Sequence, residues 1–355
     1  MKKISLLLIA IIIGICNVSA QTWVWEREAD VTNHTYGNAT TADHFGNVYV
    51  TGHFFSHHVS FGNVSLTNTD TVNSFSDFYL VKYDGNGNVI WARSAGGTNS
   101  DVGNAVTTDA AGNVYVTGKF RSPTMTVGNT TLYNNTAYLF DVFIIKYDAN
   151  GNVIWAKQAG GTNEDIGSAL VVDAHSNLYV TGTFKSPTIT FGNFTLTNAS
   201  NNSEDIFFVK YDSTGHEVMA ERFGGTSIDG PNAMVIDANN NIYITGAFYS
   251  TYLQFGATAL SSNGICDIFL VKLDTAGVVD WAKGVGGNNY DVGEGLCTDN
   301  AGNIFVSGYF KSTNVTFGTF PMANSGAGTA DMFIAKYNNH GNVQWVRSAV
   351  GTGDD

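Results

Sequence analysis

The segment Gly112-Asn113-Val114-Tyr115-Val116-Thr117-Gly118 (GNVYVTG) decides the fold, because the chain carries it in five versions. GNVYVTG also ends at Gly52, SNLYVTG at Gly182, NNIYITG at Gly246 and GNIFVSG at Gly308, so the closing glycines lie 66, 64, 64 and 62 residues apart. A repeat of this length, rich in strand formers and punctuated by Gly and Asn, marks a radial array of β units. Each copy holds four strand-like runs, in the second copy Asn104–Thr108 (a), Asn113–Thr117 (b), Val142–Tyr147 (c) and Asn152–Lys157 (d). A D-x-x-G-N-type turn joins a to b, starting at Asp43, Asp109, Asp173, Asp237 and Asp299. The same device joins c to d from Asp84, Asp148, Asp212, Asp274 and Asn338. Asp accepts hydrogen bonds from the turn backbone and Gly or Asn takes the positive φ, so tight hairpins are expected.

Strands b and c are apolar on both faces, as in Phe78-Tyr79-Leu80-Val81, and therefore need cover above and below. Blades stacked around an axis supply that cover. Trp25, Trp91, Trp155, Trp281 and Trp345 recur on strand d, with Met219 in the fourth copy, and are expected in the inter-blade core. No helical periodicity follows residue 20. The expectation is an all-β chain, a β-propeller of four-stranded antiparallel blades. GNVYVTG, the FIIKYD strand and GNVIWAKQAGG followed by T-N-x-D resemble the SBBP β-propeller repeat of bacterial secreted proteins, and the strand order is similar to NHL-type propellers. The resemblance runs over nearly all of residues 22–355 and implies a surface or extracellular propeller, with no particular reaction.

Residues 1–20 read as a secretory signal peptide: Lys2 and Lys3, an apolar run from Leu6 to Ile15, and Val18-Ser19-Ala20 before Gln21. The remainder, 21–355, reads as one propeller domain with repeats at about 29–97, 98–161, 162–225, 226–287 and 288–351. Export to the medium or the cell surface, without membrane insertion and as a monomer, is the expected fate. Without Lys2 and Lys3 the chain has 15 basic and 30 acidic residues, a balance that argues against nucleic acid or anionic membranes as partners. Cys266 and Cys297 sit in neighbouring repeats, as two free thiols or one disulfide. Thr22–Glu28 looks like an orphan strand d and Asp355 stops just before a further strand a. The reading is five complete blades plus a partial sixth, with more chain expected beyond 355; the alternative is a closed five-blade ring.

Length varies only between b and c, with 24, 22, 22, 20 and 22 residues separating the closing glycine from the next strand-c aspartate. Variable polar loops on a rigid scaffold are where binding resides. An unknown protein or glycan is the expected ligand, with Tyr133, Tyr138, Asn198, Asn201, Tyr252 and Asn263 as candidate contacts. Tolerated drift in solvated loops is the plainer alternative. Two acidic series share that face: Asp77, Asp141, Asp205, Asp267 and Asp331 before strand c, and Asp101, Asp165, Asp229, Asp291 and Asp355 in the d–a connection. The Asp101, Asp165, Asp229 and Asp291 set is a candidate Ca²⁺ site, against a structural role in which each Asp accepts loop N–H bonds. No other cofactor is expected. His53, His57 and His58 are either a transition-metal set or solvated loop residues.

Lys82, Lys146, Lys210, Lys272 and Lys336 share one register of strand c, and Arg27, Arg93, Lys157, Lys283 and Arg347 one register of strand d. The second set suits an exposed outer edge. No G-x-S-x-G, H-E-x-x-H or C-x-x-C occurs, so no catalytic residue is assigned. A non-enzymatic binding module is the preferred reading, ahead of a lyase or hydrolase with an axial site and of a passive module in a larger surface protein.

Overall fold

The computed structural model describes residues 29–354 apart from 32, 33, 73, 74, 137, 202, 327, 350 and 352. The leader segment, the Thr22–Glu28 strand, Trp25, Arg27 and Asp355 lie outside the described residues.

Five four-stranded antiparallel sheets follow one another, each ordered a-b-c-d, and no helix occurs among the described residues. Blade 1 is Thr35–Ala42, Val48–Phe54, Asp77–Tyr83 and Val89–Ala95; blade 2 is Asp101–Thr108, Val114–Phe120, Asp141–Tyr147 and Val153–Ala159. Blade 3 is Asp165–Val172, Leu178–Phe184, Asp205–Tyr211 and Glu217–Phe223; blade 4 is Asp229–Ile236, Ile242–Phe248, Asp267–Leu273 and Val279–Val285. Blade 5 is Asp291–Thr298, Ile304–Phe310, Asp331–Tyr337 and Val343–Ala349. A small hairpin leaves each b–c connection, for example Thr124–Val127 with Thr130–Tyr133. The expected β-propeller blades are therefore present. The b–c and d–a connections share one face, and the a–b and c–d turns share the other.

Each turn closes as its residues dictate. Asp109 Oδ1 accepts the N–H groups of Ala111 and Asn113, and Oδ2 accepts Asn113 Nδ2 and the Tyr115 hydroxyl. Gly112 takes the positive φ, a role filled by Ser176 and Asn240 in blades 3 and 4.

Apolar cover comes from the neighbouring blade. Tyr115, Val142 and Ile144 of blade 2 form one cluster with Leu178, Val180, Phe207 and Val209 of blade 3. Such side chains contribute roughly 1.5–3 kcal/mol each when fully buried. Inner strands a pack side by side from blade 1 through blade 5, whereas those of blades 1 and 5 are not packed on each other in this way. The far face of blade 5 shows the result. Met332 and Ile334 are 49% and 41% exposed, while their blade 2 counterparts Val142 and Ile144 are 0% exposed.

Strand a starts at Asp101, three residues before the expected Asn104, because a β-bulge at Asn104 lets pairing continue through Gly103. The bulge re-aims Asn104, whose Nδ2 donates to Gly167 O of the next inner strand at 2.9 Å. It also explains the anchor glycine. A Cβ on Gly182 would lie 1.9 Å from Ile166 O and 2.7 Å from the Phe207 ring, and the other four anchor glycines face the same obstruction.

The basic strand registers hold blades together. Lys82, Lys146 and Lys210 donate to carbonyls of the next blade's c–d turn (Ala149, Ser213 and Thr275) at 3.2, 2.9 and 2.9 Å. Arg93 Nε donates to Gly151 O at 2.8 Å and Trp91 Nε1 to Ala149 O at 3.1 Å. The strand-d cations are therefore not simply an exposed edge: Arg93 is part of a joint, drawn in because the Trp91 ring packs on the positive-φ glycine of the next turn, Gly151.

Gly182→Ala should destabilise the fold by about 3 kcal/mol through overpacking against an immovable carbonyl. Urea unfolding measures this, and an unchanged midpoint would contradict the close approach.

Candidate functional site

The two acidic series form the frame of the b–c and d–a face. Asp101 is fully buried; Oδ1 accepts the N–H groups of Arg121 and Ser122, and Oδ2 accepts Ser122 Oγ at 2.6 Å and Gly97 N–H at 2.9 Å. Asp165, Asp229 and Asp291 repeat the serine and Gly bonds with Ser186, Ser250 and Ser312. In the four residues considered for Ca²⁺, both oxygens thus receive protein donors. Among the described residues no group of three or more His, Cys, Asp or Glu is gathered as a metal would need, and His53 stacks on Tyr36 while His57 and His58 pack on each other.

The strand-c aspartates are built differently. One oxygen accepts a loop N–H, from Thr69, Asn135, Ala199, Asn263 and Ser325 to Asp77, Asp141, Asp205, Asp267 and Asp331 at 2.7–3.0 Å. The second oxygen is buried without a hydrogen-bond partner in all five. In four of them it lies against the first glycine of the Gly-Gly turn; a Cβ on Gly160 would sit 2.1 Å from Asp141 Oδ1. The second glycine is equally constrained, since a Cβ on Gly161 would sit 2.4 Å from Thr188 O. Burial pushes the carboxyls of Asp77 and Asp267 up to about 6 and that of Asp141 to about 7. Arg222 offsets the effect at Asp205, which it reaches at 2.7 Å.

On this repeated frame hang side chains that do not repeat. They occupy five registers: just before and one into strand a, the penultimate residue of b, the residue after b, and the residue before c. Their backbones are fixed alike, with Phe55, Arg121, Lys185, Tyr249 and Lys311 donating N–H to the carbonyls of His34, Ser100, Glu164, Ile228 and Tyr290. Blade 1 places rings there: Tyr36 stacks on His53 at 4.9 Å, and Phe55 meets His53 edge-on at 5.6 Å. Blades 2 and 3 place charge there. Lys119 and Arg121 lie 4.4 and 4.3 Å from the Phe140 ring, Arg121 pairs with Glu164 at 3.5 Å, and Lys185 with Glu204 at 3.7 Å. Blades 4 and 5 return to rings, with Tyr249 against Tyr290 at 6.2 Å and Tyr309 in the same register as His53 and Lys119. Cys266 lies beneath Tyr249; burial pushes its thiol up, away from an activated nucleophile. Cys266 and Cys297 are both free thiols.

The sequence-derived ligand residues are not brought together. Tyr133 and Tyr252 are exposed on the outer hairpins of blades 2 and 4, and Tyr138 is exposed with φ of 74°. Asn201 and Asn263 are exposed loop residues. Asn198 is committed to the scaffold: its Nδ2 donates to Phe184 O at 3.0 Å and Ser203 O at 3.1 Å, as Asn134 and Asn324 do in their own loops. The rim residues were missed because each differs between copies. The available signal was subtraction: of the 15 Lys and Arg after residue 20, ten fill the two scaffold registers, leaving Lys119, Arg121, Lys185, Arg222 and Lys311.

The SBBP β-propeller repeat model matches residues 154–183, from strand d of blade 2 through strand b of blade 3, so the chain carries that repeat. An uncharacterised WD repeat-containing protein of Acanthamoeba polyphaga mimivirus is 24% identical over 322 residues, 74% of this chain and 23% of that protein. The regulatory protein FlaEY of Caulobacter vibrioides is 32% identical over 120 residues, 34% of this chain and 13% of its own. The chain spans less than a quarter of the length of these relatives. Among solved structures, a Bacteroides caccae protein of unknown function aligns with TM-score 0.43 and 9% identity, over 89% of this chain and 82% of that one. Sqt1 from Chaetomium thermophilum aligns with TM-score 0.41 and 12% identity, over 93% and 76%.

The buried carboxyls give stability a definite pH dependence. An unfolded Asp titrates near 4, whereas Asp77, Asp141 and Asp267 hold their protons to about 6 or 7. Between those values the unfolded chain binds fewer protons than the folded one, so stability falls as pH rises. The thermal midpoint should be higher at pH 5 than at pH 8. Asp141→Asn should raise the pH 8 midpoint and flatten the slope; calorimetry across this range tests both.

Proposed function

We propose that the chain is an exported binding module, non-enzymatic in itself, that meets a protein or glycan ligand on the face formed by its b–c and d–a connections. The observation that carries this reading is the division of labour on that face. Aspartate, glycine and serine repeat to hold the backbone, while the side chains at the rim change from rings to charges and back to rings. A scaffold that needed nothing there would show no reason to gather its uncommitted cations and exposed tyrosines on one side. No hydrogen-bonded trio of acid, base and nucleophile occurs at the rim among the described residues: the rim histidines, His34 and His53, are in blade 1 and Cys266 is in blade 4. The signal-like leader supports export.

Two measurements test the proposal. Protein recovered outside producing cells should begin at Gln21 by intact mass; retention of residues 1–20 in a cytoplasmic product would defeat export. In pull-down and glycan-array screens, Tyr36→Ala combined with Arg121→Ala and Tyr249→Ala should abolish capture. Phe45→Ala, on the exposed a–b turn of the opposite face, should leave it intact. Equal loss in both, or no capture by the parent chain, would favour a passive structural module.

A further inference from the structure

The cations left over from the scaffold show where ligand charge belongs. The chain carries 17 Lys and Arg against 30 Asp and Glu, and ten of the 15 cations after residue 20 fill the two strand registers. Arg222 is taken by Asp205. The other four, Lys119, Arg121, Lys185 and Lys311, all stand at the end of strand b or just after it, in three blades but on one rim. Among the described residues, Lys119 and Lys311 have no carboxylate within ion-pair distance. Arg121 and Lys185 have loose, partly exposed partners in Glu164 and Glu204 at 3.5 and 3.7 Å, contacts of little net strength.

We propose that this rim binds an anionic saccharide, its acidic groups meeting Lys119, Arg121 and Lys185 and its ring faces lying on the aromatic groups to either side. The inference rests on the binding reading above and names the ligand class for the same face. Blade order places the cations of blades 2 and 3 between the Tyr36–His53–Phe55 group of blade 1 and the Tyr249–Tyr290 pair of blades 4 and 5. Tyr36, Tyr249 and Tyr290 remain exposed, so flat apolar surface and a polar tip are presented together. An acidic peptide fits less well. An extended peptide takes affinity from main-chain hydrogen bonds, and the rim N–H groups of Arg121, Lys185 and Lys311 are already given to Ser100, Glu164 and Tyr290. A saccharide needs only the side chains.

Titration calorimetry on the full chain tests this with hexagalacturonate, its methyl ester, a sulfated hexasaccharide, neutral cellohexaose and hexaglutamate. Hexagalacturonate or the sulfated probe should bind, and the tighter of the two identifies the acidic group. Arg121→Ala should weaken binding roughly tenfold by removing one charge-assisted contact, and methyl esterification, which neutralises every carboxylate, should weaken it further. Tyr249→Ala should weaken it without changing its salt dependence, while Lys119→Ala should reduce that dependence. Circular dichroism melting of each variant separates lost binding from lost folding, and Lys119→Gln provides a second, milder charge removal. Tighter binding of cellohexaose or hexaglutamate, sensitive to the rim variants, would overturn the anionic saccharide while keeping the rim as a binding face. Binding of a probe that ignores every rim variant, or of none, would overturn the anionic saccharide, and the binding face falls with it only if the pull-down and array screens also capture nothing that the rim variants release.

Discussion

Everything in this molecule depends on blades that cannot be dry alone. Strands b and c present apolar side chains on both faces, so each sheet is stable only when the sheets beside it exclude water. The joints are built for this. Tyr115, Val142 and Ile144 lie in one cluster with the strands of blade 3, and the polar bonds at each joint serve that apposition. Asn104 reaches the next inner strand and Lys146 the next c–d turn. These hydrogen bonds contribute modestly one by one, but they fix the angle at which the apolar faces meet.

The same joint sets the electrostatics. A strand-c aspartate and the following strand-a aspartate are buried near one another, and they solve the problem differently. Asp101 surrounds its carboxyl with donors from its own loop and from Ser122, whereas Asp77 leaves an oxygen bare against Gly96. Donors favour the charged form and burial the neutral one, and burial prevails at both, pushing Asp101 up to about 7, with the charge of Asp77 adding to the effect, and Asp77 up to about 6.

Much of the frame was legible in the residues. Asp109 with Gly112 and Asn113 spelled out a tight turn, and the doubly apolar Phe78–Val81 run required cover on both sides. The start of strand a was misread, since a bulge at Asn104 has no signature in a pattern of period two. Arg93 looked like an outer-edge charge because its partner, the Gly151 carbonyl, belongs to the next copy. Asn198 looked like a ligand contact because polarity alone does not distinguish an amide offered to solvent from one closing its own loop. The rim was the least legible part. His53, Lys119 and Tyr309 share no residue type, and only the folded backbone shows that their positions correspond.

Joints cut to a single pattern also bear on how such a chain changes over generations. Asn104 and Asn232 make the same bond to the next inner strand, and Lys82 and Lys146 the same bond to the next turn. A gene segment duplicated or lost by unequal crossing-over would therefore arrive with both halves of a working seam, needing no compensating substitutions elsewhere. The lineage can alter how many units it strings together as readily as other proteins alter a surface residue. The side chains on the rim can then diverge independently within each new unit.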